Sequence, residues 1–164
     1  MDSTPDSGGL PPGLRPHTLN LRRLTSLRAG QLALLFSNSP AGSIPLGESN
    51  GKAMFFPGTI LGAILSWLGN LLWTGKIVDQ SGHGLINKVL GFRLIRAQVY
   101  HGTSWSDGKQ SIVIDYLKTS LVAFFIRDEI RCVSRGLYLG KVYIRMPLGY
   151  RFCALWFALE FPRG

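Results

Sequence analysis

The chain is poor in charge, and poorest in acids. Only 16% of its residues are charged, against roughly 25% in an average soluble domain. Nine Asp and Glu face eighteen Lys and Arg, a net charge of +9. That surplus is not gathered into a block, because Arg22-Arg23 is the only adjacent basic pair. Nucleic-acid recognition calls for a basic stripe or patch, so a nucleic-acid partner is disfavoured. Cysteine is scarce as well. Cys132 and Cys153 belong to no C-x-x-C, and His17, His83 and His101 lie far from both in sequence. This excludes zinc-ligand spacing and leaves two reduced thiols in a cytoplasmic protein as the expectation. A disulfide would need the two Cα atoms within about 7 Å.

Motifs for familiar chemistry are absent too. Gly47-Glu48-Ser49-Asn50-Gly51-Lys52-Ala53 is one spacer short of a phosphate-binding loop and lacks the hydroxyl residue that would hold magnesium. Gly102-Thr103-Ser104-Trp105-Ser106 falls one residue short of a nucleophile elbow and precedes a hairpin rather than a helix. No cofactor and no metal are expected. Residues 1–17 are rich in Pro, Gly and Ser, without the basic start and apolar core of a secretory signal, and should be disordered.

What the chain does hold is apolar material, 46% of 164 residues, enough for one domain with a real core. Residues 18–53 read as a helix followed by a loop. Leu21, Leu24, Leu27, Leu34 and Leu35 roughly keep a helical period, and Ser37 to Gly51 is loop by composition. Met54 to Trp73 carries no charge over twenty residues, long enough to be a membrane-span candidate. Its Gly58-x-x-x-Gly62 has the spacing of closely packed membrane helices. Pro57 in a first-turn position shortens the helix, so a buried helix plugging a barrel mouth and a membrane-contacting segment both remain open.

From Trp73 onward the texture is β. Trp73–Val78, Phe92–Tyr100, Ser111–Leu117, Leu137–Arg145 and Arg151–Phe161 read as strands, with 121–133 ambiguous but favouring strand. Asp107-Gly108 supplies hairpin chemistry. Five or six strands at meander spacing predict a mainly β protein, an antiparallel up-and-down barrel or curled sheet with N-terminal helices, spanning 54–164.

The dense charged knot Arg127-Asp128-Glu129 with Arg131 is the leading candidate site. On a strand, Arg127, Glu129 and Arg131 share one face and Asp128 takes the other, beside Ile126 and Ile130. Arg127 and Arg131 would grip an acidic ligand if they line an apolar cavity; otherwise the knot is a structural ion-pair ladder. Asp115, if inward, would serve as a general acid or base; if outward, it would pair with a basic neighbour. Trp73, Trp105, Tyr116, Tyr138 and Tyr143 are candidates for a pocket mouth.

Trp73-x-Gly75-Lys76, Ser104-Trp105-Ser106-Asp107-Gly108, Ile114-Asp115-Tyr116, Arg127 to Arg131 and Gly136-Leu137-Tyr138-Leu139-Gly140 together resemble a family of small, largely uncharacterised microbial proteins. More distantly, the chain is similar to GXWXG-type small proteins with lipocalin-like, or calycin-like, barrels. The resemblance implies a barrel that holds a hydrophobic ligand. Three functional expectations follow. The first is binding of a hydrophobic, acidic small molecule, extended to a cofactor-free isomerase or cyclase in small-molecule biosynthesis. The second is a membrane-associated accessory protein held by residues 54–73. The third is a basic RNA-binding barrel.

Overall fold

The computed structural model describes residues 10–55, 73–89, 92–121 and 123–162. The apolar stretch 56–72, on which the plug and membrane-span readings of 54–73 rest, lies outside the described residues, as do residues 1–9. Among the described residues, no helix is long and apolar enough to cross a membrane.

Nine strands form one antiparallel sheet: β1 (Gly47–Glu48), β2 (Asn50–Met54), β3 (Trp73–Val78), β4 (Gly84–Val89), β5 (Phe92–Thr103), β6 (Gln110–Asp115), β7 (Ile126–Ser134), β8 (Leu137–Arg145) and β9 (Arg151–Glu160). From β3 to β9 each strand pairs with the next in sequence. β1 pairs with β3 while β2 pairs with β9. Because β1 and β2 are one run broken only at Ser49, the two edges of the sheet meet and the barrel nearly closes, with eight positions around the ring. The expected up-and-down antiparallel barrel is what the chain forms. Closure also removes the open edges that would otherwise invite aggregation.

The seam depends on a small-residue device. Ser49 donates its backbone N–H to the Lys76 carbonyl at 2.9 Å and its hydroxyl to the same carbonyl at 2.8 Å, and the Lys76 N–H returns a bond to the Ser49 hydroxyl at 3.0 Å. Gly75, at φ +143°, lies directly beneath, and a Cβ there would collide with the Ser49 carbonyl. Only glycine allows the strands this close.

Strand alternation sorts side chains into two layers. Inward are Val78, Leu85, Ala97, Val99, Ile112, Ile114, Ile130, Tyr138, Phe157 and Leu159, one continuous core. Gly140 faces Phe157 across β8–β9, and a Cβ there would strike its ring. The outer wall is covered as well. The helices α1 (Leu21–Thr25) and α2 (Ala29–Asn38) lay Leu24, Leu32, Leu35 and Phe36 on Met54, Val133, Leu139, Trp156 and Ala158. Asn20 caps α1 by accepting the Arg23 N–H at 2.8 Å, and Gln31 accepts the Arg28 N–H at the start of α2. Within residues 1–17, expected to be disordered, Pro12–Leu14 forms a 3-10 turn with Leu14 buried, and a second, Pro16–Thr18, follows.

Two expectations about boundaries change. The barrel begins at Gly47, within the segment read as a loop. β4 occupies 84–89, a stretch not among the strands read from the sequence. Of the region 121–133, Leu121 and residues 123–125 are turns and β7 follows from Ile126. Cys132 pairs with Tyr138 and Cys153 with Tyr143, at separate places on β8, and both thiols are free.

Candidate functional site

Three elements bring polar side chains together inside the barrel. Lys76 comes from β3, Asp128 from β7 and Tyr116 from the residue after β6. β3 and β7 stand four places apart in a ring of eight, so a contact between their side chains must cross the interior. It does so here. Lys76 Nζ lies 2.9 Å from Asp128 Oδ2 and 2.7 Å from the Tyr116 hydroxyl, which donates to the same carboxylate oxygen at 3.1 Å. The ammonium also sits 5.4 Å from the ring centres of Tyr116 and Phe157, where the aromatic faces favour a cation.

All three side chains are removed from water, Asp128 to 2% exposure. Its second oxygen, Oδ1, is buried without a hydrogen-bond partner among the described residues. A buried carboxylate oxygen left without a donor carries a desolvation cost of about 1–3 kcal/mol or more. Such an orphan calls for a structural or functional reason.

The sequence-derived candidates divide between the two sides of the wall. Tyr116 is inside, in the triad. Tyr138 is also inside, at the opposite end, where its hydroxyl donates to the Ser43 carbonyl at 2.7 Å and its ring packs edge-on against Phe161; burial pushes its pKa up. Trp73 opens β3, and its side chain lies outside what is described.

Arg127 and Arg131 face outward, contrary to the expectation of guanidinium groups in a cavity wall. Asp128 points in, and the two-residue period therefore turns Arg127, Glu129 and Arg131 out. They are buried because the β5–β6 hairpin and α2 cover the wall there. Arg131, fully buried, forks onto Asp107 at 2.7 and 2.6 Å. It also donates to Ser111 Oγ at 2.9 Å, to the Gln110 carbonyl at 3.2 Å and to the Phe36 carbonyl at 2.9 Å. Arg127 pairs with Glu129 and donates to the Thr103 carbonyl at 2.8 Å. Glu129 in turn accepts from the Ser104 hydroxyl and, at 2.7 Å, from the Trp105 N–H. The knot is a fastening that ties hairpin 103–109 and α2 to the barrel. Fully occupied in this way, it has no spare fork for an acidic ligand.

Trp105 belongs to the same outer layer, with Arg127 4.2 Å from its ring and Tyr143 edge-on at 5.5 Å. Burial pushes the Tyr143 hydroxyl up to about 12. Asp115 is outward too. It pairs with Arg145 at 2.8 Å, accepts the Tyr100 hydroxyl at 3.2 Å and caps the Leu117 N–H at 2.9 Å. From there it reaches nothing in the interior, so the acid/base role considered for it has no inward substrate to serve.

Sequence reasoning passed over Lys76 and gave Asp128, a member of the charged knot, no role of its own. Both were visible as charged residues on apolar strand faces: Lys76 shares a face with Val78, and Asp128 lies between Ile126 and Ile130. A charge in register with a core stripe is the signal that would have found them.

An open groove of about 310 Å³ runs beside β4 and β5, with Asp79, His83, Ile86, Arg96 and Gln98 in its lining. It contains none of the candidate residues. Among the described residues, no three His, Cys, Asp or Glu side chains converge as a metal would require.

Fold and site together define a nearly closed antiparallel meander barrel with an ion pair and a phenol buried in its interior. No protein-family model, curated protein or solved structure matches the chain.

Proposed function

We propose that the barrel interior binds a small, largely apolar molecule that presents a hydrogen-bond donor, such as a hydroxyl or amine, to Asp128 Oδ1. The observation that carries this reading is that orphaned carboxylate oxygen, set 2.9 Å from an ammonium on its other side. An eight-position barrel has room for side chains alone or for one small ligand. Apolar surroundings with a few convergent polar groups are how such ligands are held. The unpartnered interior oxygen belongs to a carboxylate, and the Lys76 ammonium is engaged by Asp128 and Tyr116, so the ligand is a donor and not the carboxylate anion that inward guanidiniums would have selected.

The test compares n-decanol and n-decylamine with methyl decanoate, which accepts hydrogen bonds but cannot donate, by thermal shift and native mass spectrometry. The alcohol and amine should stabilise the protein and the ester should not. Asp128→Val should erase that preference. Equal binding of all three probes, or an unchanged preference in Asp128→Val, refutes the reading.

A further inference from the structure

The meander places particular loops at each end of the barrel. β2 ends, and β3, β5, β7 and β9 begin, at one end; β6 and β8 finish there too. That end therefore carries the β6–β7 loop, residues 116–125, and the β8–β9 loop, residues 146–150. The loops are tied together: the Arg145 N–H donates to the Phe125 carbonyl at 2.7 Å, and its guanidinium reaches the carbonyls of Phe124 and Ile126 at 3.1 and 2.8 Å.

This rim exposes large apolar side chains. Leu121 is 97% exposed and Leu148 95%, joined by Leu117, Phe124, Met146, Tyr150 and Phe152. Single exposed leucines are ordinary, but a cluster on one end is not. Leu148 is, among the described residues, the one non-glycine with positive φ, at φ 63°. Its left-handed backbone is costly for a leucine and leaves the side chain clear of the barrel.

Charge on this rim has one sign. Lys118 in the β6–β7 loop and Arg151 at the start of β9 are exposed, and the two acids at this end among the described residues, Asp115 and the buried Asp128, are paired with Arg145 and Lys76. The opposite end carries Glu48, Asp79, Asp107 and Glu160, by the positions of their strands and turns.

We infer that this rim docks on an anionic lipid surface, the leucines and aromatics entering the interfacial layer while Lys118 and Arg151 meet the headgroups. Interfacial binding draws on buried apolar area together with attraction to acidic lipids, and the rim supplies both on one end. A protein partner would need no such polarity along the barrel axis.

Flotation with phosphatidylcholine vesicles, with and without phosphatidylserine, tests the inference on the full chain. The protein should float with the serine-containing vesicles and less with phosphatidylcholine alone. Leu121→Ser/Leu148→Asn, two exposed sites at which asparagine suits the left-handed backbone, should lower vesicle affinity by about tenfold or more while leaving the melting temperature unchanged. Lys118→Glu/Arg151→Glu should abolish the preference for phosphatidylserine. Undiminished flotation of the leucine variant overturns the inference. So does a wild-type chain that ignores both vesicle types, or one that dimerises in solution through a contact removed by the leucine substitutions.

Discussion

Replacing Lys76 by methionine isolates the buried charge pair. The methionine keeps the length of the stem that runs between Tyr116 and Phe157 but removes the ammonium. Asp128 would then retain one hydrogen bond, from the Tyr116 hydroxyl at 3.1 Å, with Oδ1 still unpartnered and almost no access to water. Breaking a buried pair from one side costs about 3–5 kcal/mol, because an uncompensated charge stays behind. For a domain of this size that is a fall in Tm on the order of 6–20 °C. The double variant Lys76→Met/Asp128→Val removes both charges. Well-packed apolar replacements of buried ion pairs are close to neutral, so its cost should be no more than about 1–2 kcal/mol of repacking. Urea unfolding of the wild type, both single variants and the double variant gives the cycle, with m-values checking that the denatured state has not changed. A single variant as stable as wild type would mean the carboxylate is hydrated. A double variant as unstable as the single one would mean that Lys76 acts through packing and not charge. Recovery in the double variant, accompanied by loss of decanol binding, would indicate that the pair is retained for its ligand and not for stability.

The outer fastening predicts a different response. Arg131→Met leaves Asp107 and three backbone or hydroxyl acceptors without their donor, and should destabilise by about 3 kcal/mol or more, with hydrogen exchange rising first in hairpin 103–109. Arg131 holds the Asp107 carboxyl below its usual range through their hydrogen bonds. A folded-state pKa below the unfolded value of about 3.9 gives stability that is present above that value and lost as the pH falls through the folded one. Asp107→Asn should therefore flatten the acid limb of a stability–pH curve below about pH 4, and an unchanged limb would sink this assignment. Gly75→Ala should cost about 2 kcal/mol or more, read by urea unfolding, because both its backbone conformation and the Ser49 carbonyl exclude a Cβ. Burial raises both thiol pKa values, but Cys132 is half-buried and Cys153 exposed, so iodoacetamide should modify Cys132 more slowly in the folded protein, as peptide mass mapping would show.

Much of the barrel was legible because most of its strands advertise themselves locally. β3 and β8 match their sequence-read limits, and Asp107-Gly108 marked the β5–β6 turn. The strands that escaped are those whose pairing is non-local or whose residues look like loop. Gly47 to Met54 is small and polar because the seam needs close approach, with Gly51 opposite Leu159 and Ala53 opposite Phe157. Nothing nearby in sequence shows that its partner is the last strand. The site was misread for a related reason. Alternation correctly separated Asp128 from Arg127, Glu129 and Arg131, but could not tell which face was inward. In an open sheet the buried face is the core; here α2 and the hairpin bury the outer face as well, so β6, β7 and β8 are apolar or paired on both sides.

The seam at Ser49 has a consequence for how the polypeptide reaches its native state. β2 precedes every other strand except β1, yet its partner is β9, the final one. Contacts so distant along the chain slow folding, and a ribosome-bound intermediate would have two unsatisfied sheet margins until the terminal strand is synthesised. Assembly should therefore proceed as an incomplete arc that shuts in one late step.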